Sequence, residues 1–426
     1  ENIVNKMVIG LRVYKHHDHT IKTKVANKVN TVIVSPIKMK EINPDVDLDI
    51  FIQHHISLLT SQPMDIWEGE MPSVRQIKPL KIEDLLERKP IQISFDNIAA
   101  ELKSKTVMVT GAAGSIGSEI VRQLCNFTPK LIVLVDNGET AIHNLKIELQ
   151  AFSTSQHFNF VLGDVRNKER MEYIMDLYRP DFVFHAAAYK HVPMMEDFPC
   201  ESVQVNVLGT KIMADLALKY RVSRFVMVST DKAVNPTNVM GASKRIAEIY
   251  VQSLARKMQK TGNETTKFIT TRFGNVLGSN GSVVPFFQKQ IEKGGPVTVT
   301  HPDIIRYFMT VPEASSLVLE AGVMGEGGEI YVFDMGNPVN ISHLAKKMIQ
   351  MAGLIPGVDI QIAYTGLRPG EKLYEELLSH KEKVRSTQHP KIMVASVAEY
   401  DFDKISVDID NLIKYSYLCK DFLVVS

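Results

Sequence analysis

The sequence contains few cysteines and almost no net charge. Its three cysteines, Cys125, Cys200 and Cys419, lie far apart and form no Cys-x-x-Cys pair. A disulfide framework and a zinc knuckle are therefore excluded, and a reducing cytosol is the expected compartment. The 49 lysines and arginines are balanced by 48 aspartates and glutamates. That balance excludes a polybasic arm, so no nucleic-acid partner is expected.

Long hydrophobic runs and metal-binding patterns are also missing. No stretch approaches the roughly 18 apolar residues that cross a bilayer, and the start, Glu1-Asn2-Ile3, has no methionine and no signal-peptide core. The chain is therefore interpreted as an excised soluble piece. No metal is predicted, because the histidines near the start lack a cysteine or carboxylate frame. They are His16, His17, His19, His54 and His55.

The 426 residues exceed the roughly 100–200 of one domain, and the pattern changes twice along the chain. Residues 1–95 hold strand-like runs at Thr31–Val34 and Asp49–Ile52 and a charged linker at Lys81–Pro90, which indicates a partial α/β piece. Residues 96–280 are expected to form the nucleotide-binding domain. Residues 281–426 become irregular, which favours a smaller C-terminal substrate lobe with some chain returning to the core.

Short β-branched runs alternate with amphipathic segments through the middle of the chain. This alternation predicts βαβ units and an α/β fold with a doubly wound parallel sheet. Ligands of such sheets bind at the carboxyl ends of the strands. The predicted strands are Thr106–Thr110, Leu131–Asp136, Phe158–Leu162, Phe182–His185, Phe225–Ser229 and Phe268–Arg272.

A glycine-rich turn follows the first of these strands and leads into a helical segment. Glycines in such a turn allow a tight bend and the close approach of a pyrophosphate, whose charge the helix N-terminus attracts. The sequence therefore predicts a dinucleotide site. Its residues are Gly111, Ala113, Gly114, Ser115, Ile116 and Gly117.

Acidic residues end the next two strands. Asp136 lies about 20 residues after the glycines, where it can accept hydrogen bonds from both hydroxyls of a ribose. A carboxylate there repels a 2′-phosphate, so NAD is expected rather than NADP. Asp164 and Val165 follow the third strand and are placed to meet the adenine. A simple turn or helix-cap aspartate is an equal alternative for Asp164.

Further motifs in the sequence resemble those of one family. The G-x-x-G-x-x-G spacing resembles the extended short-chain dehydrogenase/reductase superfamily, with its Rossmann sheet. Together with four other stretches it resembles the long, membrane-associated nucleotide-sugar 4,6-dehydratases of bacterial polysaccharide and glycoprotein biosynthesis, in particular UDP-N-acetylglucosamine 4,6-dehydratases. The four stretches are His185–Pro193, Ser229–Arg245, Arg272–Ser279 and Gly366–Lys372.

The resemblance implies removal of water across C5 and C6 of UDP-N-acetylglucosamine, for polysaccharide or glycoprotein glycan synthesis. Transient oxidation of C4 by NAD makes the C5 proton acidic. It further implies a homo-oligomer, a cytoplasmic location, and membrane contact only through helices upstream of this chain. The N-terminal piece is similar to the second half of a Rossmann-like domain that precedes the dehydratase in long members.

The implied cofactor contacts include Ala186, Ala187, Lys190 and Lys244. For the substrate, Arg306 and Arg368 can clamp a diphosphate with their planar guanidinium groups. Surface salt bridges are the alternative for both arginines. The remaining implied substrate residues are Lys190, Asn275 and Glu371.

Asp231 and Lys232 follow the fifth predicted strand and carry the expected acid–base chemistry. A partly desolvated carboxyl can remain protonated and act as an acid, and a buried lysine can act as a base. The resemblance assigns Asp231 as the acid for the C6 hydroxyl, Lys232 as the base for the C5 proton, and Thr230 as the residue that orients O4. A lone Thr-Asp-Lys is usually a surface turn, but its position after a strand and shortly before Met240 favours catalysis.

Met240 stands where the superfamily has the tyrosine of Tyr-x-x-x-Lys. A thioether cannot take a proton, whereas Lys244 shares a helical face with Met240 and can hold the nicotinamide ribose. The long dehydratases also carry methionine here. The base for the C4 hydroxyl is left open among Asp231, Lys190 and a water. Retention at C5 is expected; the alternatives are a C5-inverting dehydratase, a UDP-sugar 4-epimerase and a non-catalytic nucleotide-sugar sensor.

Overall fold

The computed structural model describes residues 93–152, 156–262, 265–376, 383–418 and 424–425, and the backbone of five short strands in the first 79 residues. The chain divides into two units. One comprises Glu1–Lys89, Phe286–Pro302 and Ile341–Thr365, and the other comprises Pro90–Pro285, Asp303–Asn340 and Gly366–Ser426. The predicted 281–426 lobe is thus shared between both units.

The first unit contains short paired strands. The predicted strand Thr31–Val34 is confirmed; it pairs in parallel with Ser57–Thr60, which pairs antiparallel with Lys78–Pro79. The predicted run Asp49–Ile52 and the linker Lys81–Pro90 lie outside the described residues. Other strand pairs of this unit are Met7–Val8 with Leu11–Arg12, antiparallel, and Val297–Val299 with Ile362–Tyr364, parallel.

The second unit is built on a nine-stranded sheet, whose strands we number β1–β9. All six strands predicted from the sequence are confirmed, within one residue at their ends. The strands are β1 Thr106–Thr110, β2 Leu131–Asp136, β3 Phe158–Leu162, β4 Phe182–His185, β5 Arg224–Thr230, β6 Lys267–Phe273, β7 Ile330–Phe333, β8 Lys383–Ser386 and β9 Ile392–Ser396.

The spatial order of the sheet is β3-β2-β1-β4-β5-β6-β7-β9-β8. Strands β1 to β7 run parallel, and β9 and β8 add to the β7 edge as an antiparallel pair. The order reverses between β1 and β4, and a crevice forms where neighbouring connections leave in opposite directions. This topology confirms the predicted doubly wound α/β fold.

Helices cover both faces of the sheet because successive side chains of a buried parallel strand point to opposite sides. In β1, Val107 and Val109 join one apolar core and Met108 joins the other. The helices of the described chain are α1 Phe95–Leu102, α2 Ser115–Leu124, α3 Glu139–Phe152, α4 Lys168–Tyr178, α5 Val192–Asp197, α6 Pro199–Ser202, α7 Gly209–Lys219, α8 Val239–Lys260, α9 Val283–Glu292, α10 Val311–Met324, α11 Ile341–Met351 and α12 Phe402–Tyr417.

Short elements complete the second unit around the strand ends. A π-helical turn, Val203–Leu208, joins α6 to α7, and a 3-10 turn, Asp231–Ala233, follows β5. Two small ladders pair Asn275–Leu277 with Phe308–Thr310 and Ile305–Arg306 with Val339–Asn340. In the part of the chain that the structure describes, no helix combines the length and apolarity of a membrane span.

Candidate active site

A cavity of about 550 Å³ lies at the carboxyl ends of β1, β4, β5 and β6. This size is in the range of small-molecule sites. The predicted site residues that line it are Gly111, Gly114, Ser115, Ile116, Gly117, Ala186, Lys190, Thr230, Lys232, Met240, Lys244, Asn275, Arg306, Arg368 and Glu371. Six other predicted residues lie outside its lining, namely Ala113, Asp136, Asp164, Val165, Ala187 and Asp231.

The glycine turn after β1 is packed so closely that side chains are excluded. Gly111 has a φ of +66°, and a Cβ there would lie 2.6 Å from the backbone nitrogen of Ala187. A Cβ on Gly117 would lie 2.1 Å from the carbonyl oxygen of Gly111. Both positions therefore require glycine. The turn leads directly into the N-terminus of α2 at Ser115, which attracts anionic groups.

Asp136 is fixed beside this turn by two backbone donors. Its Oδ2 accepts a hydrogen bond from the N–H of Ala113 at 2.9 Å, and its Oδ1 accepts one from Gly138 at 2.9 Å. Each carboxylate oxygen has a further lone pair. Asp136 is thus held rigidly next to the turn and can still accept from a ribose hydroxyl.

Asp164 and Val165 follow β3, and their side chains contact other residues of the protein. Asp164 accepts from the backbone N–H of Arg166 at 2.9 Å and from its guanidinium at 2.8 Å. These bonds hold the pKa of Asp164 below its ordinary value. The Val165 side chain packs into the apolar core beside Met108. A contact of this pair with adenine stays a prediction.

Asp231 and its neighbours form a hydrogen-bonded group at the end of β5. Asp231 is 1% exposed, and its Oδ1 accepts from Thr230 Oγ1 at 2.9 Å and from Lys232 Nζ at 3.0 Å. Lys232 Nζ also donates to Asn275 Oδ1 at 2.9 Å. The structure therefore brings together four residues that the sequence predicted for one site.

The second oxygen of the Asp231 carboxyl, Oδ2, is buried without a hydrogen-bond partner. Buried polar atoms almost always have partners, so an exception of this kind needs an explanation. Gly274 lines the cavity, and a Cβ on it would lie 2.9 Å from Oδ2. The missing side chain at Gly274 leaves room beside this oxygen.

Helix α8 begins against the turn Asp231–Ala233. The side chain of Asn238 accepts from the N–H of Gly241 at 2.7 Å, and a Cβ on Gly241 would lie 2.2 Å from the carbonyl oxygen of Lys232. This packing places Met240 and Lys244 in the cavity lining. Burial lowers the pKa of Lys244 to about 8, against the opposing attraction of Glu248.

His185, at the end of β4, lies fully buried beneath this region. Its Nδ1 is 2.8 Å from Thr110 Oγ1 and its Nε2 is 3.1 Å from Thr210 Oγ1. Burial, with a smaller contribution from the charge of Lys244, lowers the pKa of His185 to about 3. The ring is therefore neutral at physiological pH and supports the strand ends through hydrogen bonds.

A π-helical turn supplies Asn206, which holds the loop after β4. Its Oδ1 accepts from the N–H of Tyr189 at 2.8 Å and its Nδ2 donates to the Tyr189 carbonyl at 3.0 Å. The neighbouring Lys190 lies with Nζ 3.4 Å from Ser279 Oγ. Burial, followed by the charge of Lys232, lowers the pKa of Lys190.

The guanidinium of Arg306 donates its hydrogen bonds to other residues of the protein. Its guanidinium donates to the carbonyls of Ile305 at 2.7 Å, Lys372 at 2.8 Å and Leu373 at 3.2 Å, and to Glu371 Oε1 at 3.3 Å. Arg306 therefore anchors the segment Gly366–Glu376, and its predicted role as a phosphate clamp stays a prediction. Arg368 is exposed and lines the cavity.

The segment Gly366–Glu376, which we call the closing segment, is tied to the loop after Lys232. Thr237 Oγ1 and Asn238 Nδ2 donate to the Gly370 carbonyl at 3.0 and 3.1 Å. Lys372 Nζ donates to the Val234 carbonyl at 3.1 Å. The closing segment is thus linked through hydrogen bonds from neutral and charged donors to the residues that follow Asp231 and Lys232.

Sequence reasoning missed Glu375, a buried member of the cavity lining. Its Oε1 lies 3.9 Å from Lys232 Nζ and 3.9 Å from Arg306 Nε. Burial raises the pKa of Glu375, and the charge of Lys232 opposes this effect in part. In the sequence, Glu375 is one of two adjacent glutamates that follow the motif Gly366–Lys372. Nothing in the sequence distinguishes it from the other, Glu376.

Comparison with known proteins gives one family match. The model of a family described as polysaccharide biosynthesis protein matches residues 107–397. A curated relative, the capsular polysaccharide biosynthesis protein CapD of Staphylococcus aureus, is 49% identical over 350 residues. These residues are 82% of this chain and 57% of that protein, so the chain spans little more than half of the relative's length.

Two solved structures show the same fold. The X-ray structure of Pen from Bacillus thuringiensis has a TM-score of 0.64 and 32% identity, and the match covers 71% of this chain and 90% of that one. The UDP-glucose 4-epimerase of Thermus thermophilus in complex with NAD has a TM-score of 0.53 and 25% identity, covering 62% and 88%. The large parallel central sheet thus matches the Rossmann-type sheet of epimerase and dehydratase structures.

Proposed function

This chain belongs to the polysaccharide biosynthesis protein family, and we propose that it is an NAD-dependent hydro-lyase that converts UDP-N-acetylglucosamine to the 4-keto-6-deoxy sugar nucleotide. Family and fold support the broader class of nucleotide-sugar dehydratases and epimerases. The observation that carries the narrower proposal is the contact between the buried Asp231 and Lys232, which lines the cavity.

The residues beside β1 fit NAD. Side chains at Gly111 and Gly117 would meet backbone atoms at 2.6 and 2.1 Å, so both glycines are needed for the compact turn that would face a pyrophosphate. Asp136 would hold the adenosine ribose and Lys244 the nicotinamide ribose. When bound, NAD would supply a hydride acceptor for C4 of the sugar and, once reduced, a hydride donor for C6, so that the cofactor ends the cycle oxidised.

Asp231 and Lys232 act on C5 and C6 of the sugar. With a carbonyl at C4 the C5 proton becomes acidic, and Lys232 removes it. Asp231 protonates the departing C6 oxygen, and its unpartnered Oδ2 is the oxygen available for this transfer. The contact of 3.0 Å between Lys232 Nζ and Asp231 Oδ1 lets a proton pass between them afterwards.

Thr230 would orient O4 of the hexose, and a separate group would take the O4 proton. Thr230 would hold O4 through a hydroxyl that is already fixed by Asp231 at 2.9 Å. Met240 cannot accept the O4 proton, so Asp231, Lys190 or a water takes it. The lowered pKa of Lys190 makes its neutral amine more accessible than that of an ordinary lysine. The expected stereochemistry at C5 is retention.

The closing segment would cover the nucleotide. Arg368 has an exposed guanidinium at the cavity and is the residue best placed to meet a diphosphate. Glu371 would accept from a ribose or uracil donor. Arg306 supports this segment by donating to the carbonyls of Lys372 and Leu373. Homo-oligomer formation and upstream membrane helices stay predictions.

A UDP-sugar 4-epimerase is the second candidate, because the Thermus thermophilus structure of that name shares the fold. An epimerase oxidises C4 and reverses the step from the other face of the sugar. It has no need of an acid and a base at C5 and C6. The buried contact between Asp231 and Lys232 therefore favours dehydration.

Incubation of the NAD-loaded protein with UDP-N-acetylglucosamine tests the proposal through product mass and NMR. We expect a product that has lost one water and carries a methyl group at C6. Unchanged mass with altered mobility would mean an epimerase, and tight binding without turnover would mean a sensor. UDP-glucose in a parallel incubation tests the preference for the hexosamine.

A further inference from the structure

The predicted catalytic lysine has a second carboxylate neighbour, contributed by the closing segment. Glu375 Oε1 lies 3.9 Å from Lys232 Nζ, and the Glu375 side chain is 5% exposed. We propose that Glu375 is a positioning residue for Lys232, which orients its amine and balances the positive charge that it gains on taking a proton from the sugar. This inference rests on the proposed dehydration.

Glu375 lies in the middle of a row in which acidic and basic side chains alternate. The contacts run from Asp231 to Lys232 at 3.0 Å, from Lys232 to Glu375 at 3.9 Å, from Glu375 to Arg306 at 3.9 Å, and from Arg306 to Glu371 at 3.3 Å. Charges at these distances interact strongly where water is scarce. Glu375 is the member of the row that lies near both basic side chains, Lys232 and Arg306. Its carboxylate therefore links the proposed acid–base pair electrostatically to the closing segment.

The proton balance of the reaction shows when this charge is needed. The C5–H bond breaks, and its proton forms an N–H bond on Lys232 Nζ. The bonding electron pair forms the C5–C6 double bond as the C6 oxygen leaves as water, with the proton of Asp231. Lys232 gains one positive charge and Asp231 one negative charge.

Asp231 cannot balance the positive charge that forms on Lys232 until it has released its own proton and become negatively charged. Asn275, the other hydrogen-bond partner of Lys232, is neutral. During the removal of the C5 proton, Glu375 therefore supplies a negative charge 3.9 Å from the ammonium that is forming. A fixed charge directed at a developing opposite charge lowers the barrier to the step.

A purely structural role for Glu375 is the competing interpretation, because it also lies near Arg306. Arg306 is hydrogen-bonded to three carbonyls and to Glu371 at 2.7 to 3.3 Å, whereas Glu375 Oε1 is 3.9 Å from its Nε. The closing segment is thus anchored without Glu375. A structural role therefore predicts little effect of removing its charge on the chemical step.

If Glu375 must be ionised to assist Lys232, kcat should depend on the protonation of Glu375 and therefore on pH. The groups that face it are Lys232 and Asp231 from the turn after β5, Arg306 from the small ladder and Lys372 from its own segment. Burial raises the pKa of Glu375, so its carboxylate is present above the raised pKa and is lost as the pH falls through it. The turnover number kcat should fall over that range, at a higher pH than for an ordinary glutamate.

The test is Glu375→Gln in the NAD-loaded full chain, with kcat and KM for UDP-N-acetylglucosamine measured against pH. We expect kcat to fall roughly 10- to 100-fold with KM within about threefold of the parent. The acidic limb that belongs to Glu375 should disappear from the kcat profile. Glu375→Asp should recover part of kcat and keep the limb.

Glu376→Gln is the matched control, because it removes the adjacent carboxylate, which contacts Asn235 and Lys372 and does not line the cavity. Its pH profile should match the parent. An unchanged kcat in Glu375→Gln, an unchanged acidic limb, or an effect confined to KM would overturn the inference. If the parent forms no dehydrated product, the proposed function itself fails. Glu375→Asp serves as the decisive variant if Glu375→Gln does not fold.

Discussion

The cofactor side and the catalytic side of the cavity are built from different parts of the chain. On the cofactor side the shape comes from backbone atoms that approach where side chains are missing, as at Gly111 and Gly117. On the catalytic side it comes from charged side chains, with Asp231 and Glu375 buried next to Lys232 and Arg306. One side therefore depends on close packing, and the other on charge balance.

This difference decides how each side responds to substitution. A methyl group on the cofactor side displaces backbone and should weaken binding, whereas the removal of one charge on the catalytic side leaves the shape intact and should slow the chemistry. We therefore expect substitutions on one side to change mainly the affinity for NAD and substitutions on the other side to change mainly kcat. Two substitutions test this separation.

The largest effect is expected from Asp231→Asn. The amide keeps the size of the carboxyl but cannot donate a proton as an acid, so kcat should fall by roughly 10³-fold or more while the affinity for NAD is unchanged. Turnover assays and NAD titration measure the two quantities. Asp176→Asn, at an exposed position on α4, is the control and should retain full activity. Full activity in Asp231→Asn would refute the assignment of the acid.

A smaller effect on turnover, but a large one on binding, is expected from Gly117→Ala. The added Cβ would lie 2.1 Å from the carbonyl oxygen of Gly111, so the turn must move. The affinity for NAD should fall by on the order of 10²-fold, with kcat largely recovered at saturating NAD. Calorimetric titration of NAD measures the affinity.

Gly262→Ala is the control for that substitution, because nothing lies within 4 Å of the Cβ it would add. Its φ of +69° makes a small loss of stability the expected effect, with NAD affinity unchanged. An unaltered NAD affinity in Gly117→Ala would show that the turn does not hold the cofactor. The contrast between the two sides of the cavity would then be lost.

The fold was largely predictable because its determinants are local. Each strand from β1 to β6 is a short apolar run between turn residues, and the glycine turn after β1 is contiguous in sequence. The antiparallel pair β8 and β9 was not predicted, since its short strands lie in the irregular last third of the chain. The division of residues 281–426 between two units likewise depends on contacts between distant segments.

The catalytic side was only partly predictable, since four separate segments meet there. Asp231 and Lys232 were found through a strand end and a resemblance. No sequence rule indicates that Arg306 donates to three carbonyls of its surroundings, or that Glu375 rather than Glu376 faces Lys232. Such choices depend on tertiary packing, which spacing along the chain does not encode.

The most direct measurement of the central claim, that Lys232 removes the C5 proton of a sugar nucleotide, is turnover of UDP-N-acetylglucosamine in D₂O with early product analysed by NMR. The account predicts deuterium at C5 in step with product formation, because the lysine amine exchanges with solvent. Product incubated without enzyme for the same time corrects for spontaneous exchange. Product that retains its original C5 hydrogen, or that has lost no water, would contradict the account.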